Sequence, residues 1–250
     1  MKTIKAILFL FTLVTLLSCS NDDDAPQGYF PSSIELTDYT NSVNNKSVEI
    51  SYNKNNTISQ IILEDNNGIK TKQYAYTNGR ITSVTNSGFL SGPDVRTFIY
   101  NASGNLTSIV DNTDGSTETY LINYNATTNT YTLVDGTDTS SVQLDMSGNP
   151  VVYSTTFIAS DLVLTLDASE KGVFENVMPQ IALQFDLSLF NSGYIFYFFN
   201  QKQINHFEFG VQDLDIVNNR DADGNISSVV YNFMGGESQL DITYQKRNLN

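Results

Sequence analysis

The sequence predicts a mainly β protein: an antiparallel meander of β-hairpins curving into an open sheet or half-barrel, with one short helix, about 178–191, packed on it. Three observations predict this. Tyr52, Tyr76, Tyr100 and Tyr124 recur every 24 residues, and each ends a strand-like segment. An apolar-x-x-apolar signature recurs after turns, as Ile58-Ser59-Gln60-Ile61, Ile81-Thr82-Ser83-Val84, Leu106-Thr107-Ser108-Ile109 and Ile226-Ser227-Ser228-Val229. The composition is that of a turn-rich β chain, with 14 Tyr, 15 Phe, 15 Gly and only 16% charged residues. Aromatic and β-branched residues suit a pleated surface, while Asn, Ser and Gly suit the turns between strands.

The constant period identifies the repeating unit. Strands end at Val48–Tyr52, Thr71–Tyr76, Arg96–Tyr100 and Thr119–Tyr124. Turns follow at Asn53–Asn56, Thr77–Gly79, Asn101–Gly104 and Asn125–Asn129. Strand, turn and strand make a hairpin. Weaker copies continue at Leu144–Asn149, which leads into Val151–Thr156 with Pro150 at a strand start, and at Leu166–Gly172. One detail resists a simple strand. The paired apolar residues are three apart, and positions i and i+3 of a straight strand face opposite sides. Either the first packs beside the turn, or the strand carries a bulge.

Tyr100–Ile109, Tyr-x-x-x-Gly-Asn-Leu-Thr-Ser-Ile, resembles the tyrosine-containing YD or Rhs-type repeat, as does Gly79-Arg80-Ile81-Thr82-Ser83-Val84. Asn follows Tyr52, Tyr100 and Tyr124, and Thr follows Tyr76, where that repeat has Asp. The chain is too short to form the shell of long Rhs proteins. It is more similar to small outer-membrane lipoproteins of unknown function that reuse the hairpin, and the resemblance implies architecture and no activity.

The start of the chain carries an address. Lys2 and Lys5 precede an apolar run, Ile7–Leu17, interrupted by Thr12 and Thr15. The run suits a signal peptide and falls short of the roughly 20 residues of a membrane-spanning helix. Leu16-Leu17-Ser18-Cys19 resembles the lipobox of bacterial lipoproteins. That resemblance implies cleavage before Cys19 and diacylglyceryl attachment to its thiol. Two acyl chains are what stable membrane anchoring requires. Cys19 is the one cysteine, so no disulfide forms within the chain. Ser20-Asn21-Asp22-Asp23-Asp24 is either similar to a surface-export signal or a plain solvated tether. The expected organisation is a signal peptide over 1–18, a lipidated acidic tether over 19–45 with a first strand around Ser33–Leu36, and a single β-repeat domain over 46–250. A flexible tether of that length holds a domain about 25–30 Å from a membrane.

Removing residues 1–18 removes two lysines and no acid, taking the formal charge from −14 to −16. Nucleic acid and anionic lipid surfaces repel such a chain. Expected partners are the membrane through the lipid anchor, and a surface protein or glycan. An open meander also leaves edge strands that a second copy could pair.

Met178–Asn191 breaks the alternation. Met178, Ile181, Ala182, Phe185 and Leu189 share a helical face, Pro179 suits the first turn and Gly193 the end, although Leu183, Leu187 and Phe190 blur the stripe. Tyr194–Phe199 is wholly apolar or aromatic, which suits a strand covered on both faces. The helix is expected to pack over this part of the sheet. The alternative is an aromatic binding surface.

Sets that carry chemistry are sparse. His206 is the one histidine, so neither a shared metal site nor a Ser-His-Asp triad can be built around it. Asn219, Asp221 and Asp223 stand at positions one, three and five of a calcium-like loop with Gly224 at six, but position twelve is Val230, where a bidentate acid is needed. Asp111, Asp114 and Glu118, and separately Asp135 and Asp138, are loop acids that could serve glycoside hydrolysis only at fixed separations across a cleft. No phosphate loop, nucleotide fingerprint or metalloprotease motif is present, and no cofactor is expected. The favoured function is a non-enzymatic, surface-anchored binding or scaffolding module. The alternatives are a carbohydrate-binding or glycan-processing accessory, and a periplasm-facing lipoprotein with a hydrophobic ligand on its Phe-rich strand.

Overall fold

A computed structural model of the chain describes residues 25–88, 91–156, 160–189, 198–233 and 235–249. Lipobox residues Leu16, Leu17, Ser18 and Cys19 lie outside these residues, as does most of Tyr194–Phe199. Phe198 and Phe199 are described. They are not in a strand, and both are buried.

The hairpins run β1 (Gln27–Asp38), β2 (Lys46–Tyr52), β3 (Ile58–Asp65), β4 (Gly68–Thr77), β5 (Arg80–Gly88) and β6 (Ser91–Tyr100). They continue through β7 (Leu106–Thr113), β8 (Ser116–Asn125), β9 (Thr130–Asp135), β10 (Asp138–Leu144), β11 (Pro150–Thr155) and β12 (Leu162–Lys171). After an inserted segment come β13 (Lys202–Phe209), β14 (Gln212–Asp215), β15 (Val217–Arg220), β16 (Ile226–Phe233) and β17 (Gly236–Asn248). Successive strands pair antiparallel, and β17 returns onto β1 along its length, from Gln27–Asn248 to Asp38–Ser238. β14 and β15 are two halves of one bent path. β14 pairs with β13, β15 pairs with β16, and between them buried Ile216 donates its N–H to Asn205 O at 2.9 Å. The 17-stranded sheet thus curls into a nearly closed barrel, further round than an open sheet or half-barrel. Its slimmest seam is β11–β12, joined at Val152–Val163 and Tyr153–Leu162.

Closure changes the domain boundary. The expected tether over 19–45 ends early, because β1 takes Gln27–Asp38 into the barrel and pairs with both β2 and β17. Phe30 and Ile34 are fully buried there. The Pro31 and spaced polar residues that read as linker are accommodated by a register shift between Pro31 and Ser33.

The apolar-x-x-apolar signature is a β-bulge. Ser51 pairs with Gln60 and Tyr52 with Ile58, leaving Ser59 extra; likewise Thr82, Thr107 and Ser227 are the extra residues in β5, β7 and β16. The added residue reverses the parity, so both apolar residues of each signature face inward. Ile58 with Ile61, Ile81 with Val84, Leu106 with Ile109 and Ile226 with Val229 are all buried. The bulged hydroxyls of Thr82, Thr107 and Ser227 donate back to Ala75, Ile99 and Asn219 carbonyls. This explains a small hydroxylated residue at that position.

The periodic tyrosines join one repeat to the one before it. Tyr76 OH donates to Ile58 O at 2.8 Å, Tyr100 OH to Ile81 O at 2.8 Å and Tyr244 OH to Ile226 O at 3.0 Å. Each acceptor is the first apolar residue of a signature, where the bulge disrupts the ladder. Tyr52 OH closes the series onto Pro31 O of β1 at 2.8 Å. Tyr124 departs from it and donates to Asn129 Oδ1.

Inside and outside are chemically opposite. Val48 and Ile50 point in and Glu49 and Ser51 point out; Ser238, Leu240 and Ile242 point in and Glu237, Asp241 and Thr243 point out. A barrel embedded in lipid has an apolar outer band. This outer wall is mainly polar, with Ile69, Val95, Ile99, Leu121 and Val217 as exposed apolar exceptions on the strands.

The described part of the inserted segment packs into the interior. The helix expected over 178–191 is a single turn, α1 (Ile181–Gln184), running into a π-helical turn, Phe185–Leu189. It lies within the barrel instead of covering one sheet face. Ala182, Leu183, Phe185 and Leu187 are all buried. A helical turn surrounded by protein buries apolar residues on more than one side, which is why Leu183 and Leu187 blur the expected stripe.

Removing a tyrosine hydroxyl tests the repeat. Tyr76→Phe and Tyr100→Phe should each lower the unfolding free energy by about 1 kcal/mol, the net value of one hydrogen bond. Urea denaturation measures this, and Tyr39→Phe, on an exposed ring bonded to Gln239, should change little.

Candidate functional site

The most polar place in the interior is built around Asp186, on the turn that follows α1. Strands β4 to β7 supply its surroundings. In β4, Lys72 and Tyr74 share the inward face with Tyr76. In β6, Arg96 shares it with Phe98 and Tyr100. Cross-strand register sets Lys72 beside Asn86 and Arg96 beside Asp111.

Asp186 Oδ1 accepts from Lys72 Nζ at 3.0 Å and from an Arg96 guanidinium nitrogen at 2.7 Å, and its Oδ2 accepts from Tyr74 OH at 2.8 Å. Lys72 also donates to Asn86 Oδ1 at 2.8 Å. Arg96 turns its other edge to Asp111 Oδ2, with Nε at 3.2 Å. Lys72 and Asp186 have no exposed surface. Two cations therefore face two carboxylates in a water-poor interior.

Burial by itself would raise the Asp186 pKa. The Lys72 ammonium and Arg96 guanidinium outweigh it and hold the carboxyl below its ordinary value. For Lys72 the balance goes the other way: burial pulls it down to about 8, against the opposing pull of Asp186. Tyr74 is raised well above its ordinary value by burial, with the Asp186 charge adding to the effect. It stays a neutral donor. The set can hold a carboxylate, place an amine against a carboxamide and fix a helix turn.

The residues singled out from sequence are dispersed. His206 sits on β13, its Nδ1 3.2 Å from Asp215 Oδ1 and its Nε2 against exposed Asp213, beside these surface carboxylates. The calcium-like residues have other roles. Asp221 Oδ1 accepts the Asp223 and Asn225 N–H groups, as Asp145 accepts those of Ser147 and Asn149 in its own turn. Asn219 donates to Ser228 Oγ. Gly224 takes φ +83°, as this turn requires. Among the described residues no group of three or more His, Cys, Asp or Glu could hold a metal.

Of the loop acids, Asp111 belongs to the Asp186 cluster, while Glu118 accepts from Tyr120 OH. Asp114 occupies a positive-φ turn position. Asp135 and Asp138 are register partners closing one hairpin. Of the Phe-rich stretch, the two described residues pack inward, Phe199 stacking on Phe174 at 4.0 Å and Phe198 meeting Phe207 and Tyr231.

Lys72, Tyr74, Asn86, Arg96 and Asp186 went unrecognised in the sequence. A usable signal existed for two of them. Lys72 and Arg96 stand four residues before the periodic tyrosines Tyr76 and Tyr100, on the same strand face.

No family model and no curated protein matches the chain. Solved structures with a similar course include a porin-like protein from Bacteroides uniformis, at 13% identity and TM-score 0.43, covering 86% of this chain and 98% of that one. A porin-like protein from Bacteroides vulgatus has 10% identity and TM-score 0.42, covering 87% and 99%.

Removing the carboxylate tests the cluster. Asp186→Asn leaves Lys72 and Arg96 short of a counter-charge in the interior and should cost about 3–5 kcal/mol. The pH dependence has a definite sign. Because the folded-state pKa of Asp186 is depressed, its contribution is present above the unfolded value and is lost as pH falls through the folded value. While its amine is free, Lys72, lowered to about 8 when folded, makes stability rise from there to roughly 10.4, its unfolded value. Denaturation midpoints across pH should show a shallower acid limb in Asp186→Asn than in the parent.

Proposed function

We propose that the protein is a lipid-anchored module of the bacterial outer membrane, exposed at the cell surface, and that it binds or scaffolds through its exterior instead of catalysing a reaction. The observation that carries this reading is a polar outer wall around an interior into which the described residues of the chain's own inserted segment pack. A polar wall suits water, and a filled interior has its apolar side chains turned onto one another. The packing of Phe198 and Phe199 against Phe174, Phe207 and Tyr231 disfavours a hydrophobic ligand on that stretch.

Chain geometry supports an orientation. Gln27 pairs with Asn248, so the start of β1 and the end of β17 share one end of the barrel. The turns after the periodic tyrosines lie at that end too, since Asn56 Nδ2 donates to Asn248 O. With Cys19 lipidated, only residues 20–26 separate the anchor from the barrel. A fully extended chain of seven residues spans about 25 Å, and a flexible one averages roughly 15 Å. The barrel then stands close to the membrane with its tyrosine end inward. The opposite rim, with turns at Asp65–Gly68, Thr113–Ser116 and Asp135–Asp138, meets partners such as a surface protein or glycan.

Cell fractionation and protease treatment test the proposal together. The parent should sediment with outer membranes and be cut by protease added to intact cells, and Cys19→Ser should move to the soluble fraction. Membrane retention of Cys19→Ser contradicts the anchor. Protection that ends only on permeabilisation places the barrel on the periplasmic side. Turnover of a glycan or peptide by the purified chain contradicts the non-enzymatic reading.

A further inference from the structure

Lys72 and Asn86 are direct cross-strand partners on β4 and β5, and the lysine nitrogen lies 2.8 Å from the carboxamide oxygen. Asp186 touches the same nitrogen at 3.0 Å. The exposures of the three residues are 0%, 5% and 0%. An amine, a carboxamide and a carboxylate thus converge where water is excluded. These are the parts of an acyl transfer in which an amine displaces ammonia from an amide. We propose that Lys72 and Asn86 form an intramolecular isopeptide bond, with Asp186 carrying the proton.

The step balances without any outside reagent. The Lys72 ammonium passes one proton to Asp186, and the freed Nζ lone pair attacks Asn86 Cγ. The new C–N bond forms as the carbonyl electrons move to Oδ1. Collapse of the tetrahedral centre expels the side-chain nitrogen, which takes a proton from Asp186 and leaves as ammonia. The second proton lost from Nζ leaves with it as ammonium, and one hydrogen remains on the new amide. No electron is gained or lost overall.

Three features of the site favour the reaction. Register holds amine and amide together, replacing a bimolecular encounter with a positioned one. Exclusion of water suppresses the competing hydrolysis of Asn86 to Asp. Burial also shifts Lys72 toward its neutral, nucleophilic form: with a pKa of about 8, about a tenth is neutral at pH 7, against roughly one part in 2,500 for an ordinary lysine. Tyr74 and Arg96 keep the Asp186 carboxylate turned to the amine.

Peptide mapping of the full purified chain tests this. Trypsin cannot cut after an acylated lysine, so the linked protein should yield residues 71–80 joined to residues 81–96. That branched product is lighter than the sum of its parts by one ammonia. Lys72→Arg, which keeps the cation but cannot link, should give separate peptides. Asp186→Asn protein that elutes as a folded monomer should be unlinked as well. Recovery of free Thr71–Lys72 and Gln73–Arg80 as the only products of the parent overturns the proposal. Full linkage in folded Asp186→Asn overturns the role of Asp186.

Discussion

The arrangement inside the barrel depends on one carboxylate. Asp186 is carried into the interior on a short turn and accepts from Lys72, Tyr74 and Arg96, two strands of the wall at once. A second polar tie holds the same turn, where Gln184 Oε1 accepts from Tyr153 OH of β11 at 2.8 Å. The turn's first residue is preceded by Gln180, whose side chain makes no cap, and one turn is far too short to persist by its own hydrogen bonds. Apolar contacts are non-directional, so Leu183, Phe185 and Leu187 could be buried in more than one register. The ion pairs and the Tyr153–Gln184 bond select one.

The magnitudes separate position from stability. Taking each charge out of water costs several kcal/mol even after relaxation, and buried pairs often do no better than apolar residues of the same shape. Burying an aliphatic or aromatic side chain contributes about 1.5–3 kcal/mol, and the interior has such residues on every strand from β1 to β13 as well as on the inserted segment. The apolar interior is therefore the source of stability, and the cluster sets where the filling segment sits. The Tyr76, Tyr100 and Tyr244 hydroxyls act similarly on the wall: each joins a bulge to the following repeat through a backbone carbonyl.

Much of the wall was legible in the sequence because its devices are local. The 24-residue tyrosine spacing, the turns and the apolar-x-x-apolar signature all fall within one hairpin, and the parity puzzle of Ile58 and Ile61 already admitted the bulge. Closure was not legible. Whether β17 meets β1 depends on accumulated curvature over the whole sheet, and the Pro31 region read as tether because its pairing partner lies more than two hundred residues away. The cluster was hidden for the same reason. Lys72, Arg96 and Asp186 are distant in sequence, and a lysine or arginine in a strand usually faces water. Only the position of Lys72 and Arg96, four residues before an inward tyrosine, marked them as interior. The residues that attracted attention, His206 and the Asn219–Asp223 loop, stand on the surface and in a turn of the repeat.

The barrel's exterior and its interior answer separate questions. The polar wall, and the end shared by the start of β1 and the end of β17, bear on the proposal of a module held at a membrane and read from outside. The interior cluster decides whether that module has one fixed filling. A double-mutant cycle on Arg96→Met and Asp186→Leu, followed by urea unfolding, measures this most directly. Arg96 and Asp186 lie 2.7 Å apart and buried, so the account predicts a coupling energy of about 1–3 kcal/mol. Single effects that add to within about 0.5 kcal/mol would show that the Arg96–Asp186 pair does not hold the segment and would contradict the account.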